Sequence, residues 1–175
     1  GSALLSLAID AAAPTAPLPT CGTCKRCLEA CPTGALVAPG ELDARRCLSY
    51  LTIENRGPIP ERFRPALGDQ VFGCDICQEV CPWNRRPLQA HAHDPVPAQA
   101  TLSLVEALTM TGETFRQRYR QTPIWRATPD GLARNAAVVM GNLGDSAARP
   151  YLIEAAAHHR SPLVREHAAW ALAQL

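Results

Sequence analysis

No cysteine occurs in the last 94 of the 175 residues, and no apolar run approaches the length a membrane-crossing helix needs. The first residues carry no basic segment ahead of an apolar stretch, so no secretory leader is read there. Nor is charge of either sign in excess. Seventeen Lys and Arg stand against sixteen Asp and Glu, a formal charge of +1. No global field therefore marks a nucleic-acid or membrane partner, and such a partner has to be sought in local patches. Gly1 stands where an initiator methionine would, so the start reads as the interior of a longer protein, with Gly1–Ser2 either native or a cleavage scar.

What is present in quantity is cysteine: eight residues, all between Cys21 and Cys81. Disulfide frameworks distribute their bridges over the whole fold they staple, so this clustering points to a metal site in a reducing compartment. Residues 1–20 form an Ala/Pro-rich N-terminal linker or remnant of a preceding domain, with a short element expected around Leu4, Leu5, Leu7 and Ile9. Residues 21–87 hold every cysteine. A hairpin is expected there from Ala35–Val37 to Glu41–Leu42 around Pro39–Gly40, then a helix capped by Asp43 and running through Cys47 to about Ile53. Pro58, Pro60 and Pro65 predict an extended or turning path. A linker follows over 88–100.

Residues 101–175 are predicted helical. Leu102, Val105 and Leu108 suit one helix and Phe115 and Tyr119 a second. Leu132, Ala136, Val139 and Leu143 lie on one face of a third that stops at Gly144. Two more are expected over roughly 146–158 and 162–174. An echo at an offset of 32 pairs Leu132 with Val164, Ala136 with Ala168, Ala137 with Ala169 and Met140 with Leu172. That resembles HEAT-type repeats, although a plain helical bundle accounts for the same pattern. The fold class is α+β, mostly α.

The cysteine runs are Cys21-x2-Cys24-x2-Cys27-x3-Cys31-Pro32 and Cys74-x2-Cys77-x3-Cys81-Pro82, with Cys47 alone between them. Three soft thiolates at two-residue gaps converge on one cubane, while the fourth, one turn later, faces away to a second. This is the spacing of bacterial two-cluster ferredoxins, and their rule assigns Cys21, Cys24, Cys27 and Cys81 to cluster I. Cys31, Cys47, Cys74 and Cys77 fall to cluster II, leaving no cysteine over. Zinc in four-thiolate sites is the main competitor, but it needs neither a third cysteine at x2 nor a closing x3-Cys-Pro twice over. The 26 residues from Leu48 to Gly73 depart from a compact ferredoxin. This insertion is expected to cover cluster II and shape contact with something else.

At Cys47-Leu-Ser-Tyr-Leu-Thr-Ile-Glu-Asn-Arg-Gly-Pro-Ile-Pro-Glu61 and Phe72-Gly-Cys-Asp-Ile-Cys-Gln-Glu-Val-Cys-Pro-Trp-Asn84 the chain resembles epoxyqueuosine reductase. Arg134-Asn-Ala-Ala-Val-Val-Met-Gly-Asn-Leu-Gly144 and Ser161-Pro-Leu-Val-Arg-Glu-His-Ala-Ala-Trp170 extend that resemblance. It implies a cytoplasmic, cobalamin-dependent reductase with two 4Fe–4S clusters and a HEAT-like C-terminal region, converting epoxyqueuosine to queuosine in tRNA. The chain resembles the C-terminal portion, without the N-terminal cobalamin domain, so independent turnover is not expected of it. Deoxygenating the epoxide to an alkene, with its oxygen leaving as water, consumes two electrons, which clusters deliver singly. The resemblance places Ser49 and the Cys74–Cys77 loop, with Asp75 and Ile76, against the corrinoid. Cluster II would then be its proximal donor, and cluster I would take electrons from a flavodoxin- or ferredoxin-like protein. A monomer with no membrane partner is expected.

For tRNA, Arg116, Arg118, Arg120 and Arg126 interleave with Phe115, Tyr119 and Trp125 against one acid, Glu113. Arginines neutralise phosphates and aromatics stack on splayed bases, a mixture that suits an anticodon loop. The bland alternative makes the aromatics core. Arg116 and Arg120 share a helix face as unpaired like charges. Arg56 in the insertion, and His158, His159, Arg160 and Arg165, are further candidates. Two other functions share the architecture: a corrinoid reductive dehalogenase-like module, and a stand-alone ferredoxin-type carrier with a helical binding domain.

Overall fold

The computed structural model describes Ser6, residues 21–84 and residues 102–175. The element expected over Leu4–Ile9 and the 88–100 linker lie outside the described residues. Two very short helices carry cysteines: α1 (Arg26–Ala30) and α3 (Ile76–Glu79), which pack on each other. The expected hairpin forms as β1 (Leu36–Ala38) and β2 (Glu41–Leu42), antiparallel with Leu36 opposite Leu42. Gly40 turns it with φ +80°, which a side chain at that position would resist.

The Asp43 cap is found, but the helix it starts differs from the expectation. The Asp43 carboxylate accepts from Arg45 N–H (3.2 Å) over a single 3-10 turn, Ala44–Arg46. Cys47 is then extended (ψ 126°), and α2 (Leu48–Ile53) begins only after it. The break sits at a cysteine that must leave the helical path.

The helical half comprises α4 (Leu104–Thr109), α5 (Gly112–Tyr119), α6 (Pro129–Leu143), α7 (Arg149–His158) and α8 (Pro162–Leu172). Each start has a local cause. Ser103 and Thr111 cap α4 and α5 through their hydroxyls, while proline occupies the first turn of α6, α7 and α8. Gly144 ends α6 in the left-handed region, as expected.

Helix α6 is the centre of the molecule. Periodicity assigned it one apolar face, yet every residue from Gly131 to Gly141 is buried, and the predicted Leu143 is 55% exposed. Helices α4 and α8 cover one side, and the insertion after Cys47 covers the other. Its Leu132, Ala136 and Met140 join the main core with Leu108, Phe115, Leu152, Val164 and Ala168. Val138, on the opposite side, joins Leu48, Leu51, Ile59, Phe63 and Leu67. The insertion's partner is thus the chain's own helical half.

Polar side chains complete that junction. Arg134, fully buried, donates to the carbonyls of Leu51 (2.7 Å), Asn55 (2.9 Å) and Gly57 (2.6 Å). Asn142 donates to the carbonyls of Arg64 and Gly68, and Arg64 donates to Ile59 O (2.8 Å) and Glu166 (2.6 Å). His167 is held between Leu163 O (2.7 Å) and Ile59 N–H (3.0 Å), so Nδ1 carries the proton and Nε2 accepts. No helix of the described residues is long and apolar enough to cross a membrane.

Candidate metal centre

The eight cysteines line two separate voids. One, of about 270 Å³, is bordered by Cys21, Cys24, Cys27 and Cys81 with Arg26, Pro82 and Trp83. The other, of about 120 Å³, is bordered by Cys31, Cys47 and Cys74 with Ala35, Leu36, Leu42, Leu48 and Ile76. Cys77 stands between them and borders both. Cys81 and Cys31 each leave their own run for the cavity of the other, as the crossed pattern requires. Among the described residues, no three His, Cys, Asp or Glu side chains converge as a single metal ion would need. The thiols instead surround spaces, which a multi-iron cluster fits.

The two voids differ in exposure. Cys21 and Cys24 are exposed, and Trp83 beside them is 62% exposed. Cys31, Cys47 and Cys74 are half-buried behind the hairpin and α2. Burial raises the Cys74 and Cys77 thiols, and neighbouring thiolates push further: Cys47 and Cys31 on Cys74, Cys74 and Cys47 on Cys77. That mutual repulsion is what bound cationic iron relieves. At Cys31 burial also opposes ionisation. Hydrogen bonds outweigh it, from the backbone of Leu36, Thr33 and Ala35 and the Thr33 hydroxyl, and hold the thiol below its ordinary value. The Ala35 N–H lies 3.2 Å from Cys31 Sγ.

Ser49 follows Cys47 on α2 and is half-buried, and Asp75 follows Cys74 and is exposed, accepting from Gln78 (2.8 Å). Ile76 borders the second void itself.

The predicted RNA-facing residues divide. Phe115 and Tyr119 are buried, edge to face at 5.4 Å, so they are core and cannot stack on bases. Trp125 stacks on Phe115 yet stays 43% exposed. Arg118 is spoken for: it pairs with Glu106 and lies over the Tyr119 ring. Arg116 and Arg120 are exposed, and no described acidic side chain pairs with either. Arg56 donates to the carbonyls of Ile53 and Arg126, bringing the insertion beside Arg126, which pairs with Glu54. His159, Arg160 and Arg165 are absorbed by the turn between α7 and α8. There His159 Nδ1 accepts from Ser161 N–H and Arg165 donates to His159 O. Arg160 pairs with Asp130.

Sequence reasoning passed over Thr52, Arg64, Asn135 and His167 as individuals. For Thr52, Asn135 and His167 the signal was a polar residue at an inward position of a helix, which needs hydrogen-bond partners once buried. Arg64, between two short turns of the insertion, carried no such signal.

The family model described as a 4Fe-4S double cluster binding domain matches residues 20–84, and one described as HEAT repeats matches 124–175. Epoxyqueuosine reductase of Burkholderia pseudomallei is 45% identical over 175 residues, covering 92% of this chain and 43% of that protein. That of Alicycliphilus denitrificans is 42% identical, covering 94% and 48%. A crystal structure of epoxyqueuosine reductase with a tRNA-Tyr epoxyqueuosine-modified tRNA stem loop superposes with a TM-score of 0.81 at 37% identity. It covers 93% of this chain and 44% of that one. The chain spans slightly less than half the length of these relatives. Over the part of their length that it spans, the chain belongs to the epoxyqueuosine reductase family.

Proposed function

We propose that the chain is the electron-transfer and tRNA-docking part of an enzyme that reduces epoxyqueuosine to queuosine in tRNA. Two 4Fe–4S clusters would be held, one by Cys21, Cys24, Cys27 and Cys81 and the other by Cys31, Cys47, Cys74 and Cys77. The observation that carries this reading is the pair of cysteine-lined voids whose membership crosses the two sequence runs. When bound, such clusters accept and release one electron at a time. The chain's residues supply eight thiolates, N–H donors that stabilise charge on Cys31, and apolar walls that limit water at the second void.

Exposure orders the path. The exposed residues Cys21 and Cys24 make the first cluster the entry for an external flavodoxin- or ferredoxin-like donor, and the second cluster, whose cysteines are half-buried, the exit. The corrinoid that the resemblance implies would be bound mainly by residues outside this chain. Ser49, next in sequence to Leu48, and Asp75, between Cys74 and Ile76, adjoin residues that border the second void, and would face it. Arg116, Arg120 and Arg56 are the residues left to meet RNA phosphates, and a cytoplasmic setting follows from such a substrate.

Anaerobically reconstituted protein tests the reading. Eight irons and eight sulfides are expected, and Cys81→Ser should abolish the same cluster as Cys21→Ser while leaving that lost in Cys74→Ser. Bound zinc, or Cys81→Ser and Cys74→Ser emptying one common cluster, would overturn it.

A further inference from the structure

Two side chains that are not cluster ligands join the peptide segments carrying Cys47 and Cys74. Thr52 is fully buried one turn into α2. Its hydroxyl donates to Leu48 O (2.8 Å) and accepts from Gly73 N–H (3.0 Å). One oxygen thus links the residue after Cys47 to the residue before Cys74. Asn135, reaching across from α6, spans the same segments: Nδ2 donates to Thr52 O (2.8 Å) and Val71 O (2.9 Å). Arg134 Nε and Nη2 donate to Asn135 Oδ1 (3.1 and 2.9 Å), which fixes the direction of that amide. Gly73 itself, at φ +80°, has no side chain with which to anchor the turn into Cys74.

From this arrangement we infer that Thr52 and Asn135 are positioning residues of the second cluster, and that helix α6 governs its geometry without supplying a ligand. The inference rests on the two-cluster reading above. Cys47 and Cys74 are separated by 26 residues, a loop whose ends chain entropy alone would leave apart. A cluster demands a fixed separation of its sulfurs, and outer partners that orient ligands set both retention and potential. The hydroxyl and the amide impose that separation, since each bonds both segments at once. They also give the insertion a purpose: it carries α2 to a surface where α6 can hold it.

The test uses the full chain, reconstituted anaerobically, as wild type, Thr52→Val, Thr52→Ser and Asn135→Ala. Iron loss to a chelator, the potential and EPR line shape of each cluster, and thermal stability are measured. Thr52→Val keeps the volume and removes the hydroxyl. It is expected to speed iron loss from one cluster by roughly 10-fold, the lower end of what losing an outer partner of a metal ligand costs in affinity, because Thr52 acts through the backbone beside the ligands. That cluster should be the one abolished by Cys47→Ser, with its potential and line shape displaced and the other cluster unchanged. Thr52→Ser should restore wild-type behaviour, and Asn135→Ala should move the same cluster in the same direction. If Asn135→Ala does not fold, the Val and Ser pair decides alone. A lower melting temperature in Thr52→Val with both clusters at wild-type potential, line shape and iron loss would overturn the inference, as would equal change in both clusters. Fewer than eight irons in the wild type would instead sink the two-cluster reading beneath it.

Discussion

Replacing Arg134 with methionine should cost about 3 kcal/mol of stability. The guanidinium is wholly buried and has no carboxylate partner among the described residues. Burial, with repulsion from Arg56, pulls its pKa down to about 10, so it remains charged at neutral pH. It donates to Leu51 O, Asn55 O, Gly57 O and Asn135 Oδ1. Methionine fills most of the space but donates nothing. The Asn55 and Gly57 carbonyls are only part-buried and can turn to water, whereas Leu51 O and Asn135 Oδ1 cannot. Two buried acceptors left unpaired cost roughly 1–3 kcal/mol each. Removing a charge from the interior returns part of that sum, because its desolvation is relieved. For a domain of this size ~3 kcal/mol lowers the melting temperature by roughly 6–12 °C. Circular dichroism during heating, on protein of equal iron content, reads it directly. Arg134→Lys, a single point donor, should recover less than half of the loss. A melting temperature within about 2 °C of wild type for Arg134→Met would refute the view that this residue ties the two halves together.

His167 predicts a pH dependence. Burial holds its pKa down at about 4 against an ordinary 6.5, so between those values the unfolded chain binds the extra proton. The contribution is complete above about 6.5 and is lost as pH falls toward 4, roughly 3 kcal/mol in all. Denaturant midpoints across this range should show the slope, and His167→Gln should flatten it. Gly141→Ala places a Cβ 2.8 Å from Ala171 Cα, so α6 and α8 must separate. A net loss of about 1–2 kcal/mol is expected despite the gain in helix propensity, readable in the same melts. Arg116→Glu with Arg120→Glu should weaken tRNA binding and reduce the steepness of its salt dependence by about one to two units of slope, without changing iron content. An unaltered salt slope would remove these two residues from the RNA surface.

Much of this protein could be read from residue order because the relevant forces are local. Cysteine spacing expresses how far a tight loop or one helical turn carries a sulfur. Seven of the eight cysteines border only the void in which that spacing groups them, while Cys77 borders both. The cap at Asp43 and the stop at Gly144 are likewise properties of neighbouring residues. Tertiary structure decided the rest, where a residue's partner lies 64 to 108 positions away. Nothing near Asn135 in sequence shows that its amide bonds Val71, or that His167 receives an N–H from Ile59. Periodicity gave α6 one apolar face because alanine and glycine read as weakly apolar. Once the insertion packs against its far side, every position from Gly131 to Gly141 is interior. Phe115 and Arg116 illustrate the same divide: adjacent in the chain, one is sealed in the core and the other faces water, and only the packing of α5 says which.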